Sequence, residues 1–240
     1  MYKDNKILVI VPCYNEQNKI SAVVSRQVSS IVDEVLVVDD GSTDKTSEAA
    51  AEAGAKVLSL GRICGVGFAI REGFRYAREN NFDIAAVMAG NNKDSPEQIE
   101  RLLTPIAEGD CDFVQGSRYL KGGSYGGDMS LFRKLATRFH PFLFSMVTGR
   151  RITDSTNGFR AVRTSMLDDT GINLEQSWLD KYELEPYLFY MAIKQGHNVT
   201  EVPVTKIYPD RKMGNTKMKP VIDWWSILKP LILLKLGLRR

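Results

Sequence analysis

The chain has 240 residues, 43% of them hydrophobic and 25% charged, which suits one substantial folded core and excludes a disordered protein. Lys and Arg exceed Asp and Glu by only 32 to 29, and a formal charge of +3 is too weak to argue for nucleic acid. Cys13, Cys64 and Cys111 are odd in number and widely spaced, which argues against a disulfide framework or zinc knuckle and suits a reducing compartment.

The N-terminal MYKDNKILVIVPCYNE has too short an apolar run for a cleaved signal and reads as a first strand. ILVIV at 7–11 is continuous and β-branched, as in a parallel strand covered on both faces, and Pro12 stops it. Ile20, Val23, Val24, Val28 and Ile31 recur at helical spacing and predict a helix over 17–31. EVLVVDDGS at 34–42 is a second buried strand running into a polar turn, from which Ser42 or Thr43 caps a helix through 44–54. AKVLSL at 55–60 supplies a third strand, a helix follows over 66–79, and FDIAAVMAG at 82–90 is a fourth strand. This βαβαβαβ order predicts an α/β fold with a mostly parallel central sheet, its functional loops at the carboxyl ends of the strands.

SPEQIERLLTPIAEG at 95–109 has capping-box spacing from Ser95 to Gln98, with Pro96 in the first turn, and predicts a helix. CDFVQGSRYL at 111–120 reads as a fifth strand, and GGSYGGDMS at 122–130 as a mobile glycine-rich loop. Helical character returns over 129–148, a mixed stretch runs to 200, and EVPVTKIYP at 201–209 is a last strand. The tail from 219 to 240 alternates apolar clusters with Lys219, Lys229, Lys235, Arg239 and Arg240, and Pro230 breaks it. It reads as one or two short amphipathic helices, with Trp224 and Trp225 suited to a lipid interface and the cations to anionic headgroups. The other use of that apolar face is to cover the main domain or pair with a second copy of the chain. A run of about 20 apolar residues, as a transmembrane span needs, is missing. The expected division is a domain of residues 1–218 and a helical tail of 219–240.

Several polar groups stand where a parallel sheet reads its ligand. Asp39 and Asp40 follow the second strand; one is placed to bind a base or ribose and the other to face a reaction centre, unless both simply cap the turn. Parallel order brings Glu16, at the end of the first strand, toward Asp39. Gly65 and Gly67 allow close backbone approach to a ligand before the 66–79 helix. A GxG there, without a fingerprint after the first strand, disfavours a dinucleotide-dependent dehydrogenase. Asn91, Lys93 and Asp94 follow the fourth strand, where Asp94 either caps the next helix or assists a metal and Lys93 opposes a diphosphate. Asp154 either orients Arg160 or an acceptor group, or is a buried carboxylate paired with Arg151 or Arg160. His140 and His197 are too far apart in sequence to suggest a metal pair. Basic residues gather at 206–219, among them Lys206, Arg211, Lys212 and Lys217, a local field that favours phosphates or anionic lipid.

PCYNE at 12–16, VVDDGSTD at 37–44, GVGFAIREGF at 65–74, QGSRY at 115–119, DSTNGFRA at 154–161 and EVPV…DRKMGNTK at 201–217 resemble the successive motifs of family 2 glycosyltransferases. Within them the chain is most similar to the polyprenyl-phosphate sugar synthases. The resemblance implies a GT-A fold and inverting transfer of a hexose from a UDP- or GDP-linked sugar to a polyprenyl phosphate, by an enzyme peripheral to the cytoplasmic face of the cell membrane. It also implies that Pro12, Tyr14, Glu16 and Asp39 line the nucleotide pocket with Asp40 beside them. Arg118 and Arg133 would face the acceptor phosphate, and Arg211 and Lys217 would lie on a basic loop over the donor diphosphate.

The family's Asp-x-Asp, which would hold Mg2+ or Mn2+, is here Ala89-Gly90-Asn91. Hard divalent cations prefer anionic oxygen, so three expectations stand. Asn91 and Asp94 hold a displaced metal; or Lys93 with Arg211 and Lys217 neutralises the leaving diphosphate without one; or the chain binds nucleotide sugar without turning it over. A phosphate acceptor is already anionic, whereas a saccharide hydroxyl would need a base, for which Asp154 and Asp94 are the candidates.

Overall fold

The computed structural model describes residues 1–208 and 222–238. In chain order the regular elements are β1 (Ile7–Cys13), α1 (Ile20–Ser25), β2 (Glu34–Asp39), α2 (Thr46–Glu52), β3 (Lys56–Ser59), α3 (Val66–Glu79), β4 (Ile84–Val87), α4 (Ile99–Ala107), β5 (Phe113–Ser117), β6 (Ser124–Gly127), α5 (Leu131–Thr148), β7 (Arg160–Arg163), α6 (Leu184–Lys194), β8 (Val199–Pro203), β9 (Thr205–Tyr208) and α7 (Ile222–Lys235). The central sheet has seven strands in the order β3-β2-β1-β4-β7-β5-β8, and β6 and β9 form a second, two-stranded sheet.

Both faces of the main sheet are covered, which explains the continuous apolar runs of β1 and β2. Alternation along the strands divides their side chains between two cores. Leu8, Ile10, Leu36 and Val38 pack with Phe74 of α3, Phe144 of α5, and Tyr187 and Phe189 of α6. Ile7, Val9, Val11 and Val37 pack on the other side with Ile20 and Val23 of α1, Ala50 of α2 and Leu102 and Ile106 of α4. The arrangement is a mixed α/β fold in which β1, β2, β3 and β4 run parallel, as the sequence order implies.

Three expectations are corrected and one strand is added. The mixed stretch after 151 contains a strand the sequence reading does not place, β7, inserted antiparallel between β4 and β5 in a sheet that is otherwise parallel, as expected. The segment taken as one strand at 201–209 is two: β8 finishes the main sheet beside β5, and β9 crosses to pair with β6 inside the supposed glycine loop. The helix expected over 17–31 stops at Ser25, beyond which Val28 and Ile31 still pack inward from turn backbone. The capping box at Ser95 does not form; a short 3-10 turn opens the helix, and Gln98 instead accepts the Thr205 N–H at 2.7 Å, tying α4 to β9.

The tail is also more continuous than its proline suggests. Helix α7 runs through Pro230, which removes one backbone donor without ending the helix. Trp224, Ile227, Leu231 and Leu234 recur at helical spacing and are buried, and Leu231 and Leu234 join the core that contains α6. Among the described residues no helix is long and apolar enough to cross a membrane.

Candidate active site

The loops at the carboxyl ends of β1, β2 and β4 meet along one edge of the sheet. Register pairs Cys13 with Asp39, while Pro12 accepts the Gly90 N–H at 3.2 Å. Pro12, Tyr14, Glu16 and Asp39 therefore share one end of the sheet, as the sequence implies. Asn15 adopts φ 50°, and its side chain accepts the Thr43 N–H at 2.8 Å, locking the 12–16 segment against the turn after β2. Glu16 is buried and accepts from Lys19 Nζ at 2.9 Å.

The adjacent carboxylates are already engaged by their own turn. Asp39 accepts from the Ser42 N–H at 3.0 Å, the Ser42 hydroxyl and the Ser47 hydroxyl at 2.7 Å. Asp40 accepts from the N–H groups of Cys64 and Gly65 at 2.6 and 3.0 Å, just ahead of α3. Burial pushes the Asp40 carboxyl above its ordinary range, against those backbone donors. Gly67 has a different purpose from the one its spacing suggests. A Cβ there would lie 2.0 Å from the Leu179 carbonyl oxygen, so the close approach it permits is to the 179–181 backbone, not to a nucleotide.

Beyond β4 the chain packs tightly against β1, since a Cβ on Gly90 would lie 2.8 Å from Cys13 Cβ. Asn91 Oδ1 accepts the Lys93 N–H at 3.2 Å. Asp94 is buried, and its Oδ1 receives Lys206 Nζ at 2.6 Å; the same ammonium reaches Asn157 Oδ1 at 3.1 Å. Asp94 and Lys206 also form an antiparallel bridge, and the Ile207 N–H donates to the Lys93 carbonyl at 2.8 Å, so β9 is stitched to this loop. Burial, with Arg133, Lys206 and Lys19 nearby, pushes the Lys93 ammonium down to about 8.

This donor set does not fit the divalent metal that the sequence resemblance implies. Ala89 has no ligand atom, Asn91 is neutral and bonded to its own loop, and Asp94 is neutralised by an ammonium. Among the described residues no group of three His, Cys, Asp or Glu is placed to hold a metal ion. Asn91 and Asp94, expected as a metal pair, are instead engaged with the Lys93 N–H and the Lys206 ammonium.

The second cluster is built on Arg118 and Asp154. Arg118 is buried and grips Asp154 with two bonds, Nε to Oδ2 at 2.7 Å and Nη2 to Oδ1 at 2.8 Å. It also donates to the Tyr208 hydroxyl at 2.6 Å and to Thr156 Oγ1 at 2.7 Å. Asp154 is 0% exposed; burial opposes its charge, yet the guanidinium holds its carboxyl below the ordinary range. Four of the five N–H donors of the Arg118 guanidinium are thus engaged with the protein, and one of them holds Tyr208 in place. Asp154 pairs with Arg118 and not with Arg151 or Arg160; Arg160 goes to Glu185 instead. Arg133 stands beside Tyr208: its guanidinium carbon lies 5.6 Å from the centre of the ring, and Lys93 Nζ lies 5.7 Å from the same centre. Arg211 and Lys217, expected on the basic loop, lie outside the described residues.

Residues 8–171 match Glycosyl transferase family 2. The chain belongs to that family. This family 2 glycosyltransferase is 29% identical over 251 aligned residues, 98% of each chain, to the UDP-N-acetylglucosamine--dolichyl-phosphate N-acetylglucosaminyltransferase of Methanococcus voltae. It is 30% identical over 223 residues, 89% of this chain and 81% of the relative, to the polyprenol monophosphomannose synthase of Mycolicibacterium smegmatis. Its fold resembles that of glucosyl-3-phosphoglycerate synthase from Mycobacterium tuberculosis, solved with Mn2+, UDP and glucosyl-3-phosphoglycerate; the TM-score is 0.72 at 19% identity, covering 99% of this chain and 82% of that one. The GT-A fold expected from the motifs is therefore the fold observed.

Reading the glycosyltransferase sequence alone misses Tyr208 and Glu201 as members of the site and takes Lys206 only as part of a basic run, not as the partner of Asp94. Lys206 and Tyr208 alternate with Thr205 and Ile207 on a strand, and buried polar residues at alternate strand positions are the available signal. Glu201 accepts the N–H groups of Thr153 and Asp154 at 2.8 Å each and so sets the backbone from which Asp154 projects.

Proposed function

We propose that this glycosyltransferase moves a hexose from a nucleoside-diphosphate sugar to a polyprenyl phosphate. The observation that carries the choice of acceptor is the state of the two carboxylates that would otherwise serve as base. Asp154 is enclosed by Arg118, and Asp94 is held by Lys206, so neither is poised to take a proton from a saccharide hydroxyl. A phosphate monoester needs no such base, because its oxygen is already anionic. The cations Lys93 and Arg133, both close to the Tyr208 ring, suit two phosphate-bearing substrates.

In this reading the donor lies over the carboxyl ends of β1, β2 and β4, with Pro12, Tyr14, Glu16 and Asp39 along the nucleotide. Arg133 draws the acceptor phosphate, whose oxygen forms a bond to the anomeric carbon as the bond to the nucleoside diphosphate breaks, inverting that carbon. The reading gives no step to Mg2+ or Mn2+. The relatives named for lipid-phosphate acceptors support it.

Membrane attachment belongs to the same proposal, but among the described residues α5 carries more of the exposed large apolar side chains than the tail. Leu131, Phe132, Leu135, Phe139, Phe142 and Met146 are exposed along α5, and Trp225 and Ile232 on α7 beside it are exposed, as is Leu236 just after α7. The charges of α5 are Arg133, Lys134 and Arg138, so an apolar stripe with a purely basic border faces outward, as an anionic bilayer surface requires. In this reading the enzyme is peripheral on the cytoplasmic face, with residues 1–218 as the catalytic unit and 219–240 as part of its attachment.

The test is product formation across a panel of UDP- and GDP-sugars with a short-chain polyprenyl phosphate, beside octyl glycosides as hydroxyl acceptors. Transfer to the lipid phosphate is expected; transfer confined to the glycosides overturns the reading. Co-sedimentation with phosphatidylglycerol vesicles checks the surface, and Phe139→Glu with Phe142→Glu is expected to abolish it. A wild-type protein that ignores the vesicles and forms a dimer instead assigns that face to a second copy.

A further inference from the structure

The loop after β4 combines three features that the proposed function leaves unexplained. A lysine follows the usual metal position, a second lysine arriving from β9 has consumed the one carboxylate of the loop, and the backbone of both segments is bonded together. Lys206 is buried and sits between Asp94 and Asn157, so withdrawing it would leave the Asp94 charge unpaired in a closed site. Among the described residues Asp94 Oδ2 has no hydrogen-bond partner, and with Lys206 on Oδ1 the pair is close to neutral as a unit. Lys93 is different. Its field is dominated by Arg133, Lys206 and Lys19, with Glu16 the weaker opposing charge, and its ammonium stands over the Tyr208 ring. Half-buried cations gathered in this way, with Asp94 paired to Lys206 and Glu16 to Lys19, repel a divalent metal and attract a multiply charged anion.

We infer that Lys93 does the electrostatic work of a divalent cation at the donor diphosphate, and that Lys206 keeps Asp94 from recruiting a metal. The inference rests on the donor reading above. As the bond from the anomeric carbon to the diphosphate oxygen breaks, the electron pair stays on that oxygen, and the Lys93 ammonium donates a hydrogen bond to the growing charge without giving up its proton. The new bond is made by an acceptor oxygen that is already anionic, so the step needs no proton carrier and no metal-bound intermediate. Tyr208, held by Arg118, fixes the distance between Lys93 on the donor side and Arg133 on the acceptor side.

The experiment measures UDP and GDP binding to the full chain by calorimetry, in EDTA and in Mg2+ or Mn2+, with Mn2+ paramagnetic resonance as an independent count of bound metal. The expected result is a nucleoside diphosphate dissociation constant that changes by less than about 3-fold between the two conditions, and no protein-dependent loss of the free Mn2+ signal. One charge-assisted hydrogen bond to a diphosphate corresponds to about 10- to 100-fold in affinity. Lys93→Met should therefore weaken nucleoside diphosphate binding by that factor while leaving the monophosphate nearly unchanged, and Lys93→Arg should recover most of it. Diphosphate binding lost in EDTA, with Mn2+ retained by the protein, overturns the inference. Equal losses of diphosphate and monophosphate in Lys93→Met overturn it too, because the lysine would then be holding the loop and not the charge. Binding of neither diphosphate under any condition removes the donor reading itself, and the inference with it.

Discussion

Replacing Arg118 by methionine separates the two roles open to it, holding Tyr208 in place and facing the acceptor phosphate. The substitution keeps much of the side-chain volume but removes the guanidinium from Asp154, whose carboxylate is 0% exposed. Removing one partner of a buried ion pair costs about 3–5 kcal/mol, because the remaining charge is left without solvent or partner. Domains of this kind are stable by only about 5–15 kcal/mol, and about 2–4 °C of melting temperature accompanies each kcal/mol at this chain length, so a fall of about 6–20 °C is expected. Thermal and urea unfolding measure it in Arg118→Met, Asp154→Asn and the double variant. The paired geometry, Nε to Oδ2 at 2.7 Å and Nη2 to Oδ1 at 2.8 Å, predicts that the double variant loses at least about 2 kcal/mol less than the two single losses combined. Acceptor use should fall in the same variant, through displacement of Tyr208. A variant with wild-type melting temperature and only a raised KM for polyprenyl phosphate would falsify the positioning role and return Arg118 to direct phosphate binding.

Other consequences can be measured separately. His140 bridges three segments, with Nδ1 at 2.7 Å from the Ser155 hydroxyl and Nε2 at 3.1 Å from the Ile227 carbonyl of α7, and burial pushes it down to about 4. Its folded value lies below the ordinary 6.5, so the stability it gives is complete above about pH 6.5 and is lost as pH falls toward 4, for a total of about 3 kcal/mol. Urea unfolding of wild type and His140→Asn at several pH values should show a steeper acid loss in the wild type; parallel curves would sink the claim. Gly67→Ala places a methyl against the Leu179 carbonyl and is expected to cost about 1–3 kcal/mol without a change in nucleotide affinity, which calorimetry on the folded variant checks. Tyr208→Phe leaves the ring beside Lys93 and Arg133 but removes the acceptor of the Arg118 bond; about 1 kcal/mol of stability should go, and turnover should fall more than donor binding.

The sequence by itself determined the alternation of strands and helices through the first hundred residues, because each strand is apolar on both faces and each helix carries one apolar stripe. It also located the ligand edge of the sheet: Pro12, Glu16, Asp39 and Lys93 all fall at strand carboxyl ends, where chain order alone puts them. Local pattern did not reveal β7, since an antiparallel strand of four residues between two parallel ones is defined by its neighbours and not by its own residues. It did not choose between ligand and structural roles either. Gly67 is explained only when the 179–181 backbone is seen against it, and Asp154 only when Arg118 arrives from 36 residues away. The fate of Asp94 was decided the same way. A carboxylate after a strand reads equally as a cap, a base or a metal ligand, and the ammonium that settles its charge comes from Lys206, 112 residues further along the chain. Burial and charge pairing depend on what folding brings within 3 Å, and that is a property of the tertiary structure.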